Sequence, residues 1–484
     1  MKTIKTTILI GSFMMLLSSC DVVDNTDSKA FSKPIPEALM TSAQRRYSDF
    51  LTTMDPNLNN FRKYAQQSTN VAYYDEDNYD QDKRKIGNSI EQSLYKDVLI
   101  DLKNSKSLIE EVKAISPSEI AIKKNKIAII EIQTINVYQT LVDIFGNIPY
   151  NDALDYTNKP TPKFDDAKTI YLDLASRLDL AINNLDVTKT SFGNADLIYK
   201  GNVGSWKKLA NCIKLKMGLH LSDVDNAKAK SMIESAYASV LISSNSENAL
   251  FKYYNTENER NPIYNSIALE TQYCPTSYFV EELKSKSDPR MDEYFDSNSK
   301  IGGKYIGAPY ALGSTYNSVS HLSLKLADQS FPGVLFDYSE TCFLLADAAN
   351  RGYNVGETSE ALYNKGITAS MQYWGVNQTN INTYLARTDV KFATATGSNN
   401  KERIAYQLYI AYYNRGFEAW TEYRRLDFPI LVAPKDAVAE SKGKVPVRNI
   451  YSHLQKTLNG TNYQAASTAI GGDLMTTKLF WDKN

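Results

Sequence analysis

Apolar residues recur at three- and four-residue spacing through much of this chain. Ile127, Ile130, Thr134, Tyr138, Leu141, Val142 and Phe145 share one side of a predicted helix that should stop at Gly146, with Pro149 just beyond. Ile170, Leu174, Leu178, Ala181 and Leu185 repeat the pattern, with Asp165 and Asp166 placed to cap its start. Trp206, Leu209, Ala210, Ile213, Met217 and His220 make a third stripe, while Lys207, Lys208, Lys214 and Lys216 lie mostly off it and read as a solvated face. Residues 227–240, 339–350, 360–373 and 403–423 continue the series, two of them closing near Gly352 and Gly375. Helices that arrive in pairs with short connections predict stacked hairpins, each covering its neighbour's apolar side.

Three long stretches, 65–90, 243–335 and 375–402, break this pattern and are rich in Asn, Ser, Gly and Tyr, with a short extended candidate at 249–254. The expected fold class is therefore mainly α: a helical scaffold with long irregular loops and a few short strands, built as a single domain over 37–484. Long loops on a rigid scaffold are where binding residues concentrate, so the ligand is expected there.

The start of the chain follows a different rule. Lys2 and Lys5 precede an apolar run from Ile8 to Leu17, which ends in Leu17-Ser18-Ser19-Cys20. A basic-then-apolar segment of this length is too short for a permanent membrane span and fits a secretory leader over 1–19. Its ending resembles the bacterial lipobox, in which the cysteine takes a lipid before cleavage; Cys20 is then the first mature residue and the point of membrane attachment. Residues 20–36, with Asp21, Asp24, Asp27, Pro34 and Pro36, have the composition of a tether.

Composition narrows the function. The 43% hydrophobic and 23% charged fractions are those of a globular protein, and nothing after residue 20 is apolar enough to cross a bilayer. Without the two leader lysines, 52 basic side chains face 55 acidic ones, a charge near −3 that offers nucleic acid no attraction. Beyond Cys20 only Cys212, Cys274 and Cys342 remain, so no disulfide framework is indicated. His220, His321 and His453 lack ligand spacing, and no metal or cofactor is expected. A phosphate loop, zinc-protease motif, nucleophile elbow and dinucleotide fingerprint are all missing, which points to binding rather than catalysis.

Tyrosine stands out, with 33 residues against 17 phenylalanines. A phenol ring offers an apolar face and a hydroxyl, a combination that suits sugars and peptides alike. Tyr73, Tyr74, Asp75 and Tyr79 bring rings and a carboxylate together in the first loop. Tyr254, Asn255, Arg260 and Tyr264 do so in the second, which also carries Tyr310 and Tyr316, and Trp374 stands before Gly375. These are the candidate ligand-binding residues. The acidic run at 75–77 lacks the glycine and terminal glutamate of a calcium loop.

Several phrases together resemble the SusD/RagB family of outer-membrane nutrient-binding lipoproteins. Leu141-Val142-Asp143-Ile144-Phe145-Gly146-Asn147-Ile148-Pro149-Tyr150 is similar to that family's "DxYGxVPY" helix ending, with Phe145 where tyrosine is common. Lys200-Gly201-Asn202 followed by the run from Trp206 to Lys216 resembles "GD..KW.KFANSLKLR", with Cys212 for serine and Lys216 for arginine. Asp288-Pro289-Arg290 matches a "DPR" turn, and the segment from Glu340 to Gly352 is similar to "E..FLLAEAA.RG". The run from Glu418 to Arg425 looks like "EAW.D.RR", though Leu426-Asp427-Phe428 separates it from Pro429. Pro446-Val447-Arg448, Asn462-Tyr463 and the close from Gly471 to Trp481 complete the order.

The resemblance implies a tetratricopeptide-like hairpin scaffold, lipid-anchored at the outer membrane and facing the cell exterior. It further implies a non-enzymatic role: capturing a glycan, or in some members a peptide, and passing it to a SusC-like TonB-dependent channel. A scaffold that binds another protein is the remaining alternative. In the family a dense acidic cluster often follows the lipidated cysteine, whereas Asp21, Asp24 and Asp27 are spaced out. The shared residues Asp143, Trp206, Glu340, Trp420 and Arg424 read as caps, core or charge pairs, because ligand contacts in the family lie in variable loops. If the Cys20 reading holds, Cys20→Ser moves the protein from the membrane fraction to the soluble fraction on cell fractionation; retention in the membrane would refute lipid attachment there.

Overall fold

A computed structural model describes residues 34–483, so Cys20, the leader and most of the tether lie outside the described residues. Helix α1 (Pro36–Thr52) opens the body by burying Met40, Ala43, Tyr47, Phe50 and Leu51 along one face. After α2 (Phe61–Tyr64) and α3 (Ile86–Glu91), a π-helical stretch (Gln92–Leu99) runs into α4 (Ile100–Glu111), which packs back on α1. The long α5 (Pro117–Phe145) starts in a capping box: Ser116 accepts from the Glu119 amide while the Glu119 carboxylate accepts from that of Ser116. Helix α6 (Ala167–Asn184) follows, capped by Asp166 rather than Asp165, and then α7 (Val203–Leu221) and α8 (Asn226–Ala238).

The second half holds α9 (Ser277–Ser285), α10 (Met291–Tyr294), α11 (Tyr338–Asn350), α12 (Ser359–Trp374) and α13 (Gln378–Leu385). Helices α14 (Asn400–Ala411), α15 (Gly416–Leu426), α16 (His453–Leu458) and α17 (Gly460–Ala469) complete it. The pairs α5–α6, α7–α8 and α11–α12 are antiparallel hairpins stacked around one large core, the tetratricopeptide-like arrangement expected. Close approach is built in at small residues: a Cβ on Gly218 would sit 2.8 Å from Ile233 across α7–α8, and one on Gly366 would sit 2.8 Å from Phe343 across α11–α12.

Three expectations are corrected. Residues 403–423 do not form one helix: Asn414 takes a left-handed φ of 66°, splitting α14 from α15. Gly416 then lets Arg62 of α2 approach so closely that a Cβ would lie 2.4 Å from its Cγ. Lys214 and Lys216 are not solvated; Lys214 pairs with Asp179 at 2.6 Å, and Lys216 reaches buried Glu340 at 2.7 Å. The stretches expected to be irregular contain short helices, among them α9, α10 and α13. Helix α13 buries only Ile381 and Tyr384, too few positions to show a period.

The strands are short, and each pairs with one other. Strand β1 (Ser68–Asn70) runs antiparallel to β5 (Tyr273–Pro275), with Asn70 opposite Tyr273. Strands β2 (Ile148–Pro149) and β3 (Phe164–Asp165) pair, as do β4 (Ala249–Phe251) and β6 (Gly333–Phe336).

Polar groups fasten the hairpins to one another from inside. Buried Asp143 of α5 accepts from the Tyr171 hydroxyl of α6 and, at 2.9 Å, from Trp481 Nε1 near the C-terminus. His220 of α7 lies between Asp143 (3.6 Å) and Glu422 of α15 (3.3 Å). Arg425 then bridges Glu422 (2.6 Å) to Asp347 of α11 (2.5 Å). Burial disfavours the His220 charge, but Asp143 and Glu422 outweigh it and its pKa is raised. A raised imidazole contributes stability that is complete below its unfolded pKa of about 6.5 and is lost as pH climbs through the folded value. Thermal unfolding should thus show a falling Tm above about pH 6.5, and His220→Gln should flatten that slope; an unchanged slope would rule His220 out as its source.

Candidate functional site

The β1–β5 pairing brings two of the three candidate loops together. Val71 donates to the Gln272 carbonyl (2.9 Å), and the Ser314 amide donates to that of Val71 (3.1 Å), so the run around residue 313 lies beside the first loop. Tyr74 packs against it closely, since a Cβ on Gly313 would stand 3.1 Å from the Tyr74 ring.

Tyr73 is held by its backbone. Asn70 Oδ1 accepts from the amides of Ala72 (2.9 Å) and Tyr73 (2.8 Å), an Asx turn that lifts the Tyr73 side chain outward and leaves it 66% exposed. Beneath the turn, Asp77 accepts from the Thr69 hydroxyl and the Asn70 amide, and pairs with buried Lys63 at 2.8 Å. Burial works against the Lys63 ammonium, yet Asp77 overcomes it and the Lys63 pKa is raised. The ammonium also sits 4.7 Å from the centre of the Tyr273 ring, which fixes the opposite strand.

Tyr73 stands on a cleft of about 420 Å³. One wall comes from the connection after α1, with Asp55 and Asn57; another from the first loop, with Asn70, Glu76 and Arg84. The far side is a π-helical turn (Asn265–Leu269) and the residues after it, which supply Asn265, Glu270 and Gln272. The acids here are engaged: Glu76 pairs with Arg84, Glu270 accepts from Gln272 (2.8 Å), and Asp55 accepts from both nitrogens of Asn57. A flat ring beside amides, carboxylates and a guanidinium can stack on a sugar ring's CH face while hydrogen-bonding its hydroxyls.

Tyr73, Tyr74 and Asp75 are all exposed in this region, and Asp75 pairs with Lys83 at 3.0 Å. Each acid of the 75–77 run thus has its own cation: Lys83, Arg84 and Lys63 in turn. Tyr79 belongs to the core, 1% exposed, with its hydroxyl accepting from Gln66 (3.0 Å). Trp374 is also buried, edge-on to Tyr294, and Tyr310 is half-buried with its hydroxyl spent on the Lys63 carbonyl (2.7 Å). Tyr79 and Tyr310 turn toward the main core and Trp374, at the end of α12, toward a second core with Tyr294 and Tyr413, and none of them lines the Tyr73 cleft. Tyr316 lies flat on His321, ring centres 3.8 Å apart. Tyr254 and Asn255 are exposed, and Arg260 covers the Tyr264 ring at 5.1 Å, but none of these four lines the cleft.

Sequence reasoning missed Asn57, Arg84, Asn265, Glu270 and Gln272. Arg84 sits inside the basic run 83–85, and Asn57 follows Asp55-Pro56 in a turn, so both carry only loop signals. The third loop joins a different cleft, of about 550 Å³, where Asn380, Thr383 and Arg387 of the α13 region face Lys284, Lys300 and Lys304.

The hairpin-stacked helical scaffold thus presents a ring-and-amide cleft between loops, with its carboxylates held in hydrogen bonds and ion pairs. Residues 28–452 match the family described as starch-binding and associating with the outer membrane, and the chain belongs to that SusD-like family. Among solved structures, a chitin-binding protein is 25% identical with a TM-score of 0.81, the match covering 93% of this chain and 100% of the other. A chitin-binding SusD homologue from Flavobacterium johnsoniae is 21% identical (TM-score 0.78; 92% and 99% covered). A SusD homologue from Bacteroides uniformis is 23% identical (TM-score 0.76; 92% and 99%). The last two show the fold alone. A comparison with curated proteins returns no match. Among the described residues, no helix is long and apolar enough to cross a membrane.

The buried pair under the Asx turn gives a direct test of what positions Tyr73. Asp77→Ala strands the Lys63 charge and should cost about 3–5 kcal/mol in chemical denaturation, with faster proteolysis near residues 70–80. The double change Lys63→Met, Asp77→Leu should recover most of that loss; no recovery would show that the hydrogen bonds to Thr69 and Asn70, not the ion pair, carry the loop.

Proposed function

We propose that this protein captures an oligosaccharide, or a segment of polysaccharide, in the Tyr73 cleft at the cell surface and delivers it to a SusC-like TonB-dependent outer-membrane channel. The observation that carries the reading is the cleft itself, where one mostly exposed ring faces amides, carboxylates and Arg84 supplied by three separate segments. Family membership supports it, as does the name of the chitin-binding relative. Lipid attachment through Cys20, display on the outer face and the absence of catalysis belong to the same proposal. The engaged state of the cleft acids favours binding over hydrolysis, since a hydrolytic pair needs one carboxyl ready to give a proton and another ready to attack or activate water. Peptide capture is the second reading, favoured by the same hydroxyl-bearing ring.

Titration calorimetry of the chain from Asp21 onward, against starch and chitin oligosaccharides and a peptide panel, separates these readings. Saturable heat is expected with one glycan class. Tyr73→Ala should weaken it at least about tenfold, a loss of about 1.4 kcal/mol. Tyr254→Ala, outside the cleft, should change it less than about twofold, within the scatter of a surface substitution. Heat from peptides alone would move the protein to peptide capture. Glycan binding that survives Tyr73→Ala would place the site elsewhere.

A further inference from the structure

A second cleft, of about 280 Å³, opens between the π-helical stretch, the β2 region and α16, and shares no lining residue with the Tyr73 cleft. Its walls are mainly apolar: Tyr95, Pro149, Leu154, Tyr156, Pro162 and Leu454. The Tyr95 hydroxyl donates to the Pro149 carbonyl at 2.6 Å, which turns the polar end of that ring into the wall and leaves its face to the cleft. Tyr156 is 57% exposed at the mouth.

The main chain is irregular just where it borders this space. The π-helical stretch gives up the regular α-helical bonding for eight residues and in doing so brings Gln92, Tyr95 and Lys96 to the cleft together. Such departures are uncommon within helices and concentrate at functional sites.

At the base lies Glu91, only 8% exposed. Its carboxylate accepts from the Ser452 hydroxyl (2.6 Å) and the Gln455 amide (3.3 Å), both neutral groups, and among the described residues it has no ion pair. Asp77, Glu340, Asp347 and Glu422, buried as well, each have a Lys or Arg within 4 Å. A buried carboxylate without one is costly, and Glu91 lines the cleft, where a cation from solvent can reach it. Lys96 lines the same cleft but is exposed and makes no ion pair among the described residues.

We infer that this cleft is a second binding site, for a small ligand carrying a primary ammonium on a ring-sized body: the ring against Tyr95 and Tyr156, the ammonium on Glu91. An arylalkyl amine and an amino sugar share that chemistry. Burial pushes the Glu91 carboxyl up to about 7, against the hydrogen bonds from Ser452 and Gln455 and with some help from the Asp473 charge. The other titratable groups around it are Tyr95, Tyr156 and Lys96, together with Lys456, which pairs with Asp473 at 3.4 Å. Ammonium affinity should therefore rise as Glu91 ionises between about pH 6 and pH 8; an alkylammonium stays protonated over this range, whereas an amino sugar, whose amine titrates near the α-amino value of about 7.7–8.0, loses part of its charge by pH 8.

The test uses the chain from Asp21 onward and two matched pairs, tyramine against tyrosol and glucosamine against glucose, titrated at pH 6 and pH 8 by calorimetry or ligand-observed NMR. Saturable binding of one amine is expected, tighter at pH 8 than at pH 6 by at least about fivefold for tyramine or about twofold for glucosamine, whose own charge falls over that range, and at least about tenfold tighter than its neutral match. Which amine binds distinguishes the aromatic from the sugar source. Glu91→Gln keeps a hydrogen-bond acceptor for Ser452 and should abolish both the pH response and the preference over the neutral match. Tyr156→Ala, at an exposed position, should weaken binding at least about threefold with an unchanged melting curve. No saturable binding of either amine, equal binding of the neutral match, or an unaltered preference in a Glu91→Gln protein with a normal melting curve would each overturn the inference.

Discussion

Asp143 sits where four parts of the chain meet, and the scaffold depends on how its charge is answered. A carboxylate buried to 2% exposure must collect donors and a counter-charge, and here they come from α6, α7 and the C-terminal tail. His220 passes the constraint on to Glu422, and Arg425 passes it to Asp347, so α5, α7, α11 and α15 are joined by charges as well as by apolar contact. Apolar packing alone leaves stacked hairpins free to slide in register. Paired charges in the interior do not, because every sliding step would strand one of them.

A second buried group does the same work farther along. Arg415 reaches Asp337 and Glu340, and Lys216 completes Glu340 from α7. Arg424 lies over the rings of Trp420 and Trp481 and donates to the main-chain carbonyls of Asp143 and Val447. The outer loops are tied to this scaffold as well, for buried Arg290 donates to Ser370 of α12 and Gln407 of α14. The Tyr73 cleft is assembled largely from such loops, and its internal support, the Lys63–Asp77 pair, ties the first loop to α2.

The helical frame was legible because its apolar stripes are long: α5, α6, α7 and α12 each repeat their period several times. Asp143, Trp206, Glu340, Trp420 and Arg424, read from the sequence as core or charge pairs, all lie in the interior. The errors came where a partner lies far away along the chain. Lys216 looks like a surface residue until Glu340, more than a hundred positions later, is beside it. Ring counts misled for a related reason: Tyr79 packs on Tyr64 and Trp374 on Tyr294 and Tyr413, partners that lie elsewhere along the chain. The cleft's amides were invisible because the β1–β5 pairing, three residues long, is what collects them.

Tyr73 owes its place to Asn70 gripping two main-chain amides, a contact that does not involve the phenol at all. The conformation at that position is therefore indifferent to the identity of the side chain it displays. Ring, amide or aliphatic group could be exchanged there over generations without a toll on folding, so recognition can drift while the frame stays conserved. Relatives built on this same turn would then be expected to differ in what they seize far more than in how they are made.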